Sequence, residues 1–223
     1  MTHEVFDPSG LAFEDWLRCF FDRPIVPFGL TSEAWYDDLL LSGIQDRARL
    51  LRYVERFNSE FAAIKGTFSP EQIDQGLWVL FGSGIQVGAL LASDGIPSQL
   101  KLSFIDSVES LYRQAFDGCE GDIDAIDAGG AFFMLWDLIL FHMWIKCERH
   151  RPADMDAVLD RCANALQSIL ALNHRACDKC VLHGLGHLKT PRAKEIIRRY
   201  LESRPHLTAE ERMYAENCYD GKA

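Results

Sequence analysis

The sequence lacks the excess of basic residues on which nucleic-acid-binding proteins rely. Its 23 lysines and arginines are outnumbered by 33 aspartates and glutamates, so the formal net charge is −10 at pH 7. Affinity for a phosphate backbone comes mainly from lysine and arginine. We therefore expect no nucleic-acid partner. An acidic surface suits a soluble protein, or one that meets a basic protein partner.

The sequence shows neither the pattern of a secretory leader in its first residues nor a long hydrophobic run. No basic segment followed by an apolar one opens the chain. The most apolar stretch, residues 131–145, is shorter than the roughly 20 residues that span a membrane, and it contains Asp137 and His142. Seven cysteines, an odd number, fit a reducing compartment. These features predict a cytoplasmic protein without a membrane contact, in which residues 131–145 form a buried helix.

Complete enzyme motifs are missing as well. The glycine-rich segment 82–88 has Val87 where a dinucleotide-binding loop needs its third glycine, and Ser83 is not flanked as in a nucleophile elbow. The acidic segment 117–127 does not have the residue order of a calcium-binding loop. The sequence therefore favours a non-enzymatic protein.

No stretch alternates apolar and polar residues as a half-buried strand does. Apolar residues recur instead at three- and four-residue steps, and helix start signals are clear, as at Ser69-Pro70-Glu71-Gln72 and at Thr208 with Glu211. We predict an all-α fold of antiparallel helical hairpins in one domain, residues 1–223. Within it we expect an N-terminal strap over about 1–43, a helical core over about 44–150 and further hairpins over about 151–223.

The pattern also predicts individual helices. One long helix is expected from Ile44 to Lys65, because apolar residues keep one face throughout this segment. A buried helix is expected over 129–149. Another is expected from His174 to about Lys189, with Asn173 as its N-cap.

The C-terminal third contains a Leu-Gly pair before a Thr-Pro-Arg turn and a helix rich in isoleucine and leucine, ending at Leu201. This segment, about 182–201, resembles the turn and second helix of a HEAT-type repeat. We find no second copy of the turn, although stacked repeats need about three units. The resemblance implies a HEAT-like arrangement towards the C-terminus and a binding scaffold, and it brings no catalytic residues.

Histidine and cysteine cluster between His142 and His187, where five of the seven histidines and four of the seven cysteines lie. Such clustering points to metal or redox chemistry. The candidate metal ligands are His142, Cys177, Cys180, His183 and His187, with Cys147, Glu148 and His150 as further donors. On one helix Cys177 and His187 would be about 15 Å apart, too far for one zinc ion. His183 and His187, at i and i+4, form the best pair.

Three interpretations of this segment stay open: a structural helix with small residues for close contact, a metal site, and a reactive pair formed by Cys177 and Cys180. A metalloprotease is disfavoured because Gly184 stands where the general base of a His-Glu-x-x-His motif belongs. Asp137 lies in the apolar run and needs a partner. We predict a polar network of Asp137, His183 and His187.

The sequence as a whole favours a scaffold or regulatory module that binds a protein partner. A basic partner, of the kind that toxin-immunity proteins neutralise, is one version of this interpretation. The aromatic residues Phe28, Trp35 and Tyr36 are candidates for this contact. The alternative is a zinc- or iron-dependent enzyme or metal-binding protein. Its site would lie between the helices at 131–149 and 174–188, whereas the scaffold needs no cofactor.

Overall fold

The computed structural model describes residues 6–26, 43–82, 84–118 and 129–222. These residues form eleven α-helices and no strand, which confirms the all-α prediction. A short 3₁₀ helix, Pro8–Gly10, precedes them. The α-helices are α1 (Phe13–Phe21), α2 (Arg47–Ser59), α3 (Phe61–Ile64), α4 (Pro70–Phe81), α5 (Val87–Leu91), α6 (Ser98–Phe116), α7 (Gly129–Arg149), α8 (Met155–Leu170), α9 (Arg175–Leu188), α10 (Pro191–Ser203) and α11 (Ala209–Tyr219).

Local sequence signals determine several helix ends. The predicted capping boxes of α4 and α11 are both formed, by Ser69 with Gln72 and by Thr208 with Glu211. The backbone N–H of Ala193 donates to the Thr190 hydroxyl at the start of α10. Each cap satisfies N–H groups that the first turn of a helix leaves without a carbonyl partner.

Two predicted helices differ in detail. The expected helix from Ile44 to Lys65 begins only at Arg47, where Asp46 caps it, and divides at Glu60 into α2 and α3. The N-cap of α9 is His174, whose ring accepts from the N–H of Ala176. Asn173 instead adopts a left-handed conformation with φ of 57°, which asparagine tolerates better than most residues.

The middle of the chain does not pack as a simple row of hairpins. Helix α7 packs mainly against α4, α5 and α9, whereas α6 packs against α2 and α8. The ring of His183 lies beside Phe133, and one turn further along both helices His187 lies beside Asp137. Helices α7 and α9 therefore run in the same direction, with α8 as the return connection.

Glycines allow helices to contact α7 closely. A Cβ added to Gly88 of α5 would lie 2.1 Å from the carbonyl oxygen of Ile139. One added to Gly184 of α9 would lie 2.7 Å from the Cβ of Trp136, a fully buried residue. Any larger residue at either position would force the helices apart, so the two glycines determine how closely α5 and α9 approach α7.

Helix α7 carries the most apolar sequence of the described residues. Its segment Gly130–Arg149 is long and apolar enough to cross a membrane, with a mean hydropathy of 1.3. The same composition is found in core helices of soluble proteins, and 39% of the segment is buried. Trp136, Ile139 and Met143 lie on the buried face. The opposite face is accessible to solvent. The prediction that residues 131–145 form a buried helix therefore holds for one face of α7 and not for the other.

The three C-terminal helices α9, α10 and α11 all contact one another. The buried carboxylate of Asp178 ties α9 to the end of α10, because it accepts hydrogen bonds from Arg204 (2.6 Å) and Tyr200 (3.3 Å). The HEAT-type resemblance of this region stays a prediction.

Candidate metal centre

Three side chains that can bind a metal ion meet where α7 and α9 touch. Asp137 comes from α7, and His183 and His187 come from α9. One donor atom from each residue lies within 4.8 Å of the other two. Positions i and i+4 of a helix share a face, so both histidines face α7. The contact at Gly184 brings this face against α7 near Trp136, the residue before Asp137.

His183 has one ring nitrogen with a partner and one without. Its Nδ1 lies 3.4 Å from the hydroxyl of Tyr214 on α11, and Tyr214 in turn hydrogen-bonds Cys218 one turn later. Its Nε2 is buried and has no hydrogen-bond partner among the residues that the structure describes. If the Tyr214 hydroxyl donates to the sulfur of Cys218, its oxygen accepts from Nδ1–H, and we assign this tautomer on that basis. The lone pair of Nε2 is then free to bind an ion.

The surroundings of His183 keep its imidazole neutral. Burial lowers the pKa of His183, and the nearby His187 lowers it further, while Asp137 acts in the opposite direction. The ring also packs on Phe133, with 4.7 Å between ring centroids. A metal ligand must be the neutral imidazole, so the lowered pKa favours binding at neutral pH.

His187 and Asp137 form the accessible side of the cluster. Their side chains are 30% and 22% exposed, and Nε2 of His187 lies 3.4 Å from Oδ1 of Asp137. Two atoms bonded at about 2.1 Å to a tetrahedral ion lie roughly 3.4 Å apart, so this pair already has a suitable separation. The indole N–H of Trp144 donates to the carbonyl oxygen of His187 (3.3 Å), which fixes the end of α9 against α7.

The other predicted metal ligands lie elsewhere. Cys177 and Cys180 are fully buried cysteines on α9, and within the described ranges they do not join the Asp137, His183 and His187 cluster. His142 hydrogen-bonds the backbone of Gly82, and burial lowers its pKa. His150 pairs with Asp94 at the exposed surface (2.6 Å).

The remaining further donors are also outside this cluster. Cys147 is half-buried, and burial raises the pKa of its thiol, while Glu148 is exposed. The candidate partner-binding residues Phe28, Trp35 and Tyr36 lie outside the described residues.

Tyr214 and Cys218 were not predicted as part of this site. They are spaced i and i+4 on α11, so the sequence could have predicted that their side chains lie next to each other. Their contact with His183 could not be predicted in this way, because it depends on how α11 folds back onto α9. No protein-family model, curated protein or solved structure matches the chain.

Proposed function

We propose that the protein binds one divalent transition-metal ion through Asp137, His183 and His187. The observation that carries this proposal is His183, which belongs to a cluster of three donor residues and whose buried Nε2 has no hydrogen-bond partner among the described residues. A buried polar atom without a partner costs about 1–3 kcal/mol of stability. A bound ion would remove this cost.

The donor set indicates the class of ion. Two imidazole nitrogens and one carboxylate oxygen suit Zn²⁺ and Fe²⁺, and they do not suit Ca²⁺ or Mg²⁺, which prefer oxygen ligands. Three protein ligands also leave at least one coordination position for an outside ligand. The ion would act there as a Lewis acid. Gly184, which directly follows His183 in α9, has no side chain that could act as a general base.

Calorimetric titration of chelator-treated protein with Zn²⁺ tests the proposal. We expect one ion per chain in the natural protein and none in the His183→Ala, His187→Ala double variant. His150→Ala is the matched control, because His150 lies at the surface, where it pairs with Asp94 and lies outside the cluster of Asp137, His183 and His187. It should bind as the natural protein does. No uptake of zinc or iron, with a melting temperature that chelator leaves unchanged, would refute the proposal.

The scaffold that binds a basic protein remains a second proposal. The acidic net charge and the helical fold support it. Since the aromatic residues that would form its contact lie outside the described residues, no contact surface is assigned to it.

A further inference from the structure

The metal cluster lies within an accessible row of apolar side chains on α7. Met134, Leu138, Phe141 and Ile145 follow one another at steps of four, three and four residues, so they line one side of the helix. We call these four residues the α7 apolar row. Asp137 stands between Met134 and Phe141, three residues after the first and four before the second.

The row is most exposed on the C-terminal side of Asp137. Phe141 is 55% exposed and Ile145 is 41% exposed, whereas Met134 and Leu138 are half-buried. At about 1.5 Å per residue, Phe141 lies roughly 6 Å along the helix from Asp137 and Ile145 roughly 12 Å. Exposed apolar residues are usually scattered singly. Here two large apolar residues, Phe141 and Ile145, follow the candidate metal ligand Asp137 along the same side of α7.

In the proposed metal site, the position left for an outside ligand would face this row. Nε2 of His183 is sealed from solvent, while the side chains of His187 and Asp137 are partly exposed. An outside ligand therefore reaches the ion over the accessible pair, on the side of α7 that bears Asp137 and Phe141.

The charge of the site favours an anionic ligand. A divalent ion bound to one carboxylate and two neutral imidazoles leaves one net positive charge. An anion would be attracted to this charge.

From these observations, and on the basis of the proposed metal site, we infer that the open position binds the carboxylate of a small amphiphilic molecule whose apolar chain lies along Phe141 and Ile145. The carboxylate coordinates the ion, and the chain covers apolar surface that is otherwise in water. A linear chain of six to eight carbons is long enough to run from Asp137 past Phe141.

Cobalt-substituted protein tests this inference, because the visible absorption of bound Co²⁺ changes when its ligands change. We expect octanoate to bind at least tenfold more tightly than acetate, since each buried CH₂ adds about 0.8 kcal/mol. Phe141→Ser should reduce the affinity for octanoate at least fivefold and leave the affinity for acetate unchanged. Ile145→Ser provides a second variant with the same expected direction.

Phe6→Ser is the matched control, because Phe6 is 40% exposed and precedes the 3₁₀ helix that contacts α1 and α2. It should leave both affinities unchanged. If Co²⁺ does not bind, both the proposed function and this inference are refuted. If Co²⁺ binds but octanoate binds no more tightly than acetate, the inference is refuted and the proposed metal site is not.

Two further outcomes would also overturn the inference. Self-association of the protein that Phe141→Ser abolishes, without any preference for octanoate, would assign the row to a second copy of the chain. Metal-independent binding to phosphatidylcholine vesicles that the same substitution abolishes would assign it to a lipid surface.

Discussion

A single hydroxyl group decides which nitrogen of His183 is available. The oxygen of Tyr214 is the only partner that the structure gives to Nδ1 of this residue among the described side chains, and it lies 3.4 Å away. Groups that orient a metal-binding histidine in this way typically change metal affinity by 10–100-fold when they are removed. In the proposed metal site Tyr214 would therefore be a positioning residue, which orients His183 without contacting the ion.

We expect Tyr214→Phe to lower the affinity for Zn²⁺ by about 10–100-fold. The ring keeps its packing, so the melting temperature of the metal-free protein should change little. Nitrogen-15 NMR of metal-free protein should show the Nδ1-protonated form of His183 less populated in the variant. Tyr219→Phe is the control, since Tyr219 lies on the same helix and is partly exposed. Equal metal affinity and an unchanged tautomer in Tyr214→Phe would contradict this role.

At the scale of helices, the site depends on how α9 packs against α7. Gly184 permits this contact, because a Cβ there would lie 2.7 Å from the Cβ of Trp136 and 3.1 Å from a methyl group of Leu166. The Cβ of Trp136 is held close to its backbone and cannot rotate away. A larger residue at 184 must therefore move α9, and with it both histidines.

We expect Gly184→Ala to destabilise the protein by about 1–3 kcal/mol, as overpacking of a core usually does. It should also weaken zinc binding, because the histidines move away from Asp137. Gly130→Ala in α7 is the matched control, since its Cβ would meet only Asp74 Oδ1 at an ordinary 3.7 Å. Urea unfolding and zinc titration measure both effects. A Gly184→Ala protein as stable as Gly130→Ala would show that the contact with Trp136 is looser than described.

The helices and the polar pair were largely predictable from the sequence, and their arrangement was not. Periodicity and caps identified α4, α7, α10 and α11, and the buried setting of Asp137 predicted a partner on the C-terminal helices, which is His187. Helices α7 and α9 are parallel because α8, which connects them, runs back along α6 and α9 and does not pack closely on α7. Local residue patterns carry no information on such long-range contacts, so the contact of Tyr214 with His183 was not foreseen. Helix geometry alone, in contrast, already indicated that Cys177 is too far from His187 to share one ion.

Across the whole molecule, the balance of buried charge determines how stability changes with pH. Asp178 is the buried carboxylate with the clearest effect. Burial raises its pKa to about 6, although Arg204 opposes the change, and its Oδ1 has no hydrogen-bond partner in the described part of the chain. Because the folded state holds this proton more tightly than the unfolded chain, the group contributes most to stability below pH 3.8. This contribution is lost as pH rises through 6.

We therefore expect the difference in unfolding free energy between the natural protein and Asp178→Asn to depend on pH. The unfolding free energy of the natural protein minus that of the variant should fall by up to about 3 kcal/mol between pH 4 and pH 7, at 1.36 kcal/mol for each pKa unit. Asparagine resembles the protonated acid and does not titrate, so the variant lacks this dependence. Urea unfolding at pH 4, 5, 6 and 7 measures it. A difference that stays constant with pH would show that the carboxylate is charged throughout, paired with Arg204.

The separation of the ligands along the chain has a mechanical consequence. Asp137 and His183 are 46 residues apart, and all of α8 lies between them. An ion held by both would act as a reversible cross-link that closes this loop, as a disulfide does. Unlike a disulfide, the ion would leave when the chain unfolds, so its contribution to stability would depend on its free concentration relative to its dissociation constant. Removal of the ion would thus loosen the attachment of the last three helices to α7 without breaking a covalent bond.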